Sequence, residues 1–409
     1  MAERDRGTKV AVAGHIESEV NRYYVKVSRR FMAAGIILLL LLLAYIVCVT
    51  MFFGEYVTYD NLKYLVRDFD SINLSGGSDF TKIVYNGNDK TDFTFYKNGL
   101  SMANSDGYRY YDNTGVMLAE EELGYSSPIM ASSNKYMLVY DLGGKGYSVF
   151  NQLTRIIKRE SDGEIIAGAI ADDGSFILAS RSNETRYVAE LYNSAFSNVM
   201  SVYKENFILD TAISPDGKTV AICSACPSGS DFDCEIEICR RGSDKPVRVM
   251  TIDHSIPLDV YASEDGFAVL CSTKIVFVGY DGTERSSVTF DGMNLKYADM
   301  NENVAAIVGS TNALGNENRV VIIDTNEELG KKLLDTTLKT SVRGVYAARE
   351  SDECLAYLKL PDSAAGLKKD GTLGQIATEG GEILTIVPMR SGVLICGRSS
   401  AYRAFEDKK

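Results

Sequence analysis

Two histidines and eight cysteines are the side chains of this 409-residue chain best suited to chemistry. His15 and His254 supply all the imidazole. His254 sits in TIDHSIP (251–257), between two apolar stretches, where an exposed connecting turn is expected. A Ser-His-Asp triad in the bulk of the chain would have to use it. No HExxH, P-loop or GxSxG pattern occurs, and GGKGYS (143–148) reads as a Gly-rich hairpin turn. The cysteines concentrate in CSACPSGSDFDCEIEIC (223–239), with C-x2-C-x7-C-x4-C spacing. Three chemistries fit that spacing. One is a disulfide, most simply Cys226–Cys234 across the loop, and another is a set of free thiols. The third is a four-thiolate zinc site. Parity counts against zinc, because Cys223 and Cys226 would leave opposite faces of a regular strand, as would Cys234 and Cys239. We therefore expect no stoichiometric metal, no cofactor and no catalytic residue.

The elements that position these residues repeat. The runs KYMLVYD (135–141), SFILASR (175–181), TVAICSA (219–225), FAVLCST (267–273), VAAIVGS (304–310), ECLAYLK (353–359) and GVLICGR (392–398) align. Their spacings are 40, 44, 48, 37, 49 and 39 residues. Cys223, Cys271 and Cys396 share one position of this repeat with Ala and Val, so they read as small buried apolar residues. Each run is short, rich in β-formers and preceded by a polar turn, as in ISPDGKTVAIC (213–223). A period of 40–50 residues built of strands is the pattern of a β-propeller. Apolar residues on both faces of the second strand fit a strand covered by neighbouring blades. Inner strands are expected to start near 92, 127, 164, 208, 256, 293, 341 and 383, giving an all-β, eight-bladed propeller over 78–406. Seven blades is the alternative, because SAAGLKKDGTLGQIATEGG (363–381) has poor strand character. The last unit supplies three strands, and TKIVYNG (81–87) is expected to complete it and close the ring.

Ahead of the repeat lies FMAAGIILLLLLLAYIVCVTMFF (31–53), 23 residues without a charge. This exceeds the ~20 needed to cross a bilayer, and no A-x-A cleavage pattern follows, so a signal anchor is expected. Arg22, Lys26, Arg29 and Arg30 precede it, which predicts a cytoplasmic tail (1–30) and an extracytoplasmic bulk. A juxtamembrane stalk (54–77) follows. Within it, 58–70 has helical spacing of Tyr59, Leu62, Leu65, Val66 and Phe69, and SINLSGGSD (71–79) reads as a linker. The stalk helix packs on the domain above or forms a homodimer contact. The net charge of −12 is uneven: residues 1–30 carry +3, and the remainder carries −15. Such an acidic bulk argues against nucleic acid and against anionic lipid headgroups.

The stretches DNLKYLVRDFD (60–70), GYRYYDNTG (107–115) and SSPIMASSNKYMLVYDLGGKGYSVFN (126–151), with the basic N-terminus and single span, carry a resemblance. The chain resembles an uncharacterised, domain-of-unknown-function family of Gram-positive, clostridia-type single-pass membrane proteins. That family has a quinoprotein/WD40-like propeller outside the membrane. The resemblance implies topology and fold, with no functional residue to carry over. Trp is absent here, which separates the chain from quinoproteins with a quinone cofactor.

The functional expectation is a membrane-anchored binding or scaffold module of the cell envelope, with other envelope proteins as partners and no enzymatic activity. The alternative is a sensor or carrier of a small ligand or wall glycan. Recognition is expected on the two longest hairpin insertions, PSGSDFD (227–233) and STNALGNEN (310–318), through Ser228, Asp231, Asp233, Asn312 and Asn316.

Overall fold

The computed structural model describes residues 4–53, 82–152, 154–243, 245–290, 292–311, 317–349, 354–379, 381–389 and 392–404. The expected stalk helix and linker, and both Asn312 and Asn316, lie outside the described residues.

The N-terminal unit is one helix, Arg4–Phe53. Over Arg22–Cys48 it is long and apolar enough to cross a membrane, as an anchor or as a signal sequence. It begins well before the apolar run, because no proline interrupts residues 4–30.

The second unit is a ring of eight four-stranded antiparallel sheets. Blades 1 to 7 are each built from four consecutive strands, with first strands at Asp92–Tyr96, Pro128–Ser132, Ile165–Ile170, Phe207–Ile213, Pro257–Ala262, Asn294–Met300 and Gly344–Ala347. Blade 8 joins Ile383–Pro388, Val393–Gly397 and Ser400–Ala404 to the short strand Ile83–Val84. Ile83 pairs with Ala401 and Val84 with Ser400. Both ends of the repeat region thus share one sheet, as the closure argument requires. The doubtful unit forms true strands at Ala364–Lys368 and Leu373–Ile376, so the count is eight.

Second strands are buried along nearly their whole length, as in Gly99–Asn104, Gly266–Cys271 and Val304–Ser310. The reason is the seam between blades, where the facing surfaces of two sheets share one core. Ala221, Ile236 and Ile238 of blade 4 pack with Phe267, Val269 and Val276 of blade 5. Each such fully buried branched or aromatic side chain stabilises by about 1.5–3 kcal/mol. At the seam of blades 2 and 3 rings do this work: Tyr147 lies 5.6 Å from Phe176, which stacks on Tyr192 at 4.7 Å.

The first strands adjoin one another from blade to blade and so ring the central channel. Five of them carry a β-bulge near the same place, between Ile165 and Ala167, Ile208 and Asp210, Pro257 and Asp259, Leu295 and Tyr297, and Ile383 and Thr385. A bulge bends a strand and re-aims its neighbours. In blades 4 and 5 it leaves Leu209 and Leu258 40% and 49% exposed, and an aspartate follows each.

Candidate functional site

Two regions gather functional side chains: the channel and one rim of blade 4.

The channel is acidic. Asp92, Asp210, Asp259 and Asp299 all lie on first strands. Three of them reach the open edge of the next blade and accept a hydrogen bond from its backbone. Met130 N donates to Asp92 Oδ2 at 2.8 Å, Val260 N to Asp210 Oδ2 at 2.9 Å, and Ala347 N to Asp299 Oδ2 at 2.8 Å. An inner strand has no neighbour on its channel side, so its amides need side-chain acceptors. The four residues are partly exposed as a whole, while their carboxyl groups are set among protein atoms. Burial pushes Asp92 and Asp299 up to about 6, against the bonds from Met130 and Ala347. Asp210 rises further, to about 8, first from burial and then from the charge of Asp259, with which it shares a hydrogen bond. Asp259 is also raised by burial, while its bond to Asp210 pulls the other way. Two carboxyl groups in such contact cannot both ionise cheaply, so the pair keeps one proton near neutrality. Tyr140 adds a phenol whose pKa is pushed up by burial and then by Asp210 and Asp92. The lumen can therefore hold a proton between Asp210 and Asp259. Among the described residues no three His, Cys, Asp or Glu side chains converge as a metal-ligand set.

The sequence carried a signal for this lining. LDTAISPDG (209–217) and LDVYASEDG (258–266) place Leu, Asp, Ser, Asp and Gly at identical spacing, four residues from Asp to Ser. The turn glycine drew attention to these units; the aspartate upstream of it was missed.

The rim region is the expected hairpin at 227–233. It is not a loop. The second and third strands of blade 4 run on as Thr219–Ser228 and Asp231–Arg240, with Ser228 paired to Asp231. Gly229 at φ 61° supplies the left-handed residue that a two-residue hairpin turn needs. Three of the expected site residues converge here. Ser228 bonds the Asp233 side chain, Asp233 Oδ1 accepts from His254 N at 2.8 Å, and Asp231 Oδ2 lies 3.2 Å from His254 Nδ1. The His254 amide, and then Ser228, hold the Asp233 carboxyl below its usual range. Ser255 N donates to Phe232 O at 2.9 Å. His254 is the exposed turn residue expected, and it braces the hairpin from the turn that leads out of blade 4 into blade 5. Phe232 stays 37% exposed, edge-on to Phe207 at 6.4 Å. Phe207 in turn meets Tyr187 at 6.0 Å and lies under the Arg186 guanidinium at 5.4 Å. Beneath the tip, Lys204 bonds Glu235 at 2.8 Å and also contacts Glu237. Burial opposes the Lys204 charge, but the two glutamates outweigh it and raise its pKa.

The cysteines correct one expectation. Cys226 and Cys234 do not form a disulfide; both are free thiols. Cys226 pairs with Asp233 and Cys234 with Ala225, so the two thiols leave opposite faces of the hairpin. Cys226 is half-exposed, whereas Cys234 is buried between blades 4 and 5. Cys223, Cys271 and Cys396 are buried, as their repeat position implies.

The geometry defines a closed eight-bladed propeller with an acidic channel and one braced rim hairpin. By sequence the chain belongs to the Family of unknown function (DUF5711), matched over residues 78–390. Comparison with curated proteins gives no match. Among solved structures, the chain is similar to hydrazine synthase of Kuenenia stuttgartiensis, at 13% identity and TM-score 0.46, covering 75% of this chain and 99% of that one. It is also similar to the Neurospora crassa Pan2 WD40 domain, at 7% identity and TM-score 0.49, covering 81% and 96%.

Proposed function

We propose that this protein is a membrane-anchored, extracytoplasmic binding module of the cell envelope that engages another protein through the rim of blade 4, and that it is not an enzyme. The observation that carries this reading is the hairpin 227–233. It stands beyond the sheet on paired backbone, is braced by His254 and Ser255, and presents a half-exposed aromatic ring beside carboxylates. A rigid exposed aromatic contributes contact area at low entropic cost, as interface anchors do. The helix Arg4–Phe53 serves as the anchor, with the basic residues before the apolar run on the cytoplasmic side. Photo-crosslinking in native membranes, with a benzoylphenylalanine probe at Ser228 or Phe232, tests it. A reproducible protein adduct is expected, lost when the probe is moved to blade 1.

The acidic lumen favours a second reading, capture of a small cationic or hydroxylated ligand in the channel. No rim adduct, together with ligand-dependent stabilisation that Asp92→Asn removes, would move the assignment there.

A further inference from the structure

One cluster of reactive groups takes no part in the rim or the lumen: the thiols buried between blades 4 and 5. Cys234 Sγ lies 3.6 Å from Cys271 Sγ, across the seam. Cys234 is on the third strand of blade 4, and Cys271 ends the second strand of blade 5. Cys223 belongs to the same core. Strand register puts it on the same face as Cys234 but two positions away, opposite Ile236. Two sulfurs at 3.6 Å face each other at van der Waals contact. A disulfide needs ~2.05 Å, an approach of about 1.5 Å that rotations of two side chains can share.

We propose that Cys234 and Cys271 are a disulfide site that covalently joins blades 4 and 5 when the protein meets an oxidising environment. The oxidant is a disulfide, either a small molecule such as oxidised glutathione or a thiol–disulfide exchange protein. One cysteine, as thiolate, attacks a sulfur of the oxidant to form a mixed disulfide and releases one thiol. The second cysteine then attacks its partner's sulfur and displaces the other thiol. Two electrons pass to the oxidant, which leaves as two thiols after taking up the two protons the cysteines lose. Both sulfurs are fully buried in the assembled ring, so the exchange takes place before the seam closes or when it opens transiently. Cys234 lies three residues from Asp231 at the hairpin turn. The bond would therefore anchor the hairpin's base to the next blade. The proposal does not depend on what the hairpin binds.

The test uses full-length protein in detergent. It is refolded with oxidised glutathione, and its remaining thiols are alkylated under denaturing conditions. Cleavage by trypsin and an aspartate-directed protease separates Cys234 from Cys223 and Cys226. The expected product is a peptide joining the segment 233–240 to the Cys271 segment, with fragmentation placing the link on Cys234 and an alkylated thiol on Cys239, and with free thiols reduced from eight to six. The oxidised chain should melt several degrees above the reduced one. Cys271→Ser should abolish both the linked peptide and the shift, whereas Cys226→Ser should abolish neither. Recovery of Cys234 and Cys271 both alkylated, or of Cys234 joined to Cys223 or Cys226, would overturn the proposal.

Discussion

Replacing Asp210 with asparagine should flatten the pH dependence of stability on the alkaline side. Asp210 has its pKa raised from 3.8 to about 8 by burial and by Asp259. A raised carboxylate keeps its proton in the folded state over a range where the unfolded chain has lost it. Its contribution to stability is therefore full below the unfolded value and declines as pH rises towards the folded one. Asp92 and Asp299 have pKa values of about 6 and have largely finished titrating by about pH 6.5, so the window above that isolates the pair. From about pH 6.5 to about pH 8 the wild type crosses ~1.5 pH units, and at ~1.4 kcal/mol per unit this removes about 2 kcal/mol. A propeller of this size should lose about 2 °C of melting temperature per kcal/mol, hence about 4 °C in all. The substituted carboxamide can accept from Val260 N through its oxygen and donate to Asp259 through its nitrogen, giving up the bond from Thr211 N that the other carboxylate oxygen accepts, but it has no proton to lose. Calorimetry or fluorescence melting of the full chain in detergent, at intervals between about pH 6.5 and 9, measures the difference. A variant whose melting temperature falls in parallel with the wild type would refute the shared-proton account.

Other substitutions probe the ring. Asn301 donates to the carbonyls of Ala347 and Ala348 at 3.1 and 3.0 Å, across the seam of blades 6 and 7. Asn301→Ala should cost about 2–3 kcal/mol in denaturant unfolding by leaving those buried carbonyls unpaired. Ile83 is 1% exposed in the closing strand, and Ile83→Asp should destabilise by at least ~3 kcal/mol, seen as a lower unfolding midpoint. Phe232→Ala should change stability by less than ~1 kcal/mol, since the ring is partly exposed, while removing the rim crosslink. His254→Ala should leave the His254 amide bond to Asp233 in place, and so cost less in crosslinking yield than Asp233→Ala, which removes the acceptor.

The repeat was legible because seam packing writes itself into every unit. VAAIVGS and FAVLCST are apolar on both faces since both faces are covered, and an apolar run after a polar turn survives without any alignment. The closing strand could be expected because the last unit was one strand short. What failed was local. PSGSDFD looked like a loop from composition, but Gly229 turns the chain in two residues and the polar strands project beyond the core, where Asp231 and Asp233 can stay solvated. The Cys226–Cys234 pairing failed on register, which sequence separation does not fix; a shift of one residue sends a thiol to the other face. The channel aspartates were only partly legible: the shared spacing of LDTAISPDG and LDVYASEDG marked Asp210 and Asp259, but Asp92, Asp210 and Asp299 each make their defining contact with a different blade some 38–50 residues away.

The blade shared by both ends of the ring also sets a timetable. Ile83 and its partner Ala401 are 318 positions apart. At ~5–20 residues per second the first strand emerges roughly 15–60 seconds before its partner exists. Throughout synthesis the nascent ring is an open arc whose two end blades leave an apolar face uncovered, Leu100 and Met102 of blade 1 among them, and any chain truncated before residue 401 stays that way. Quality control of this protein should therefore act late, on completion of the C-terminal hairpin rather than on any earlier blade.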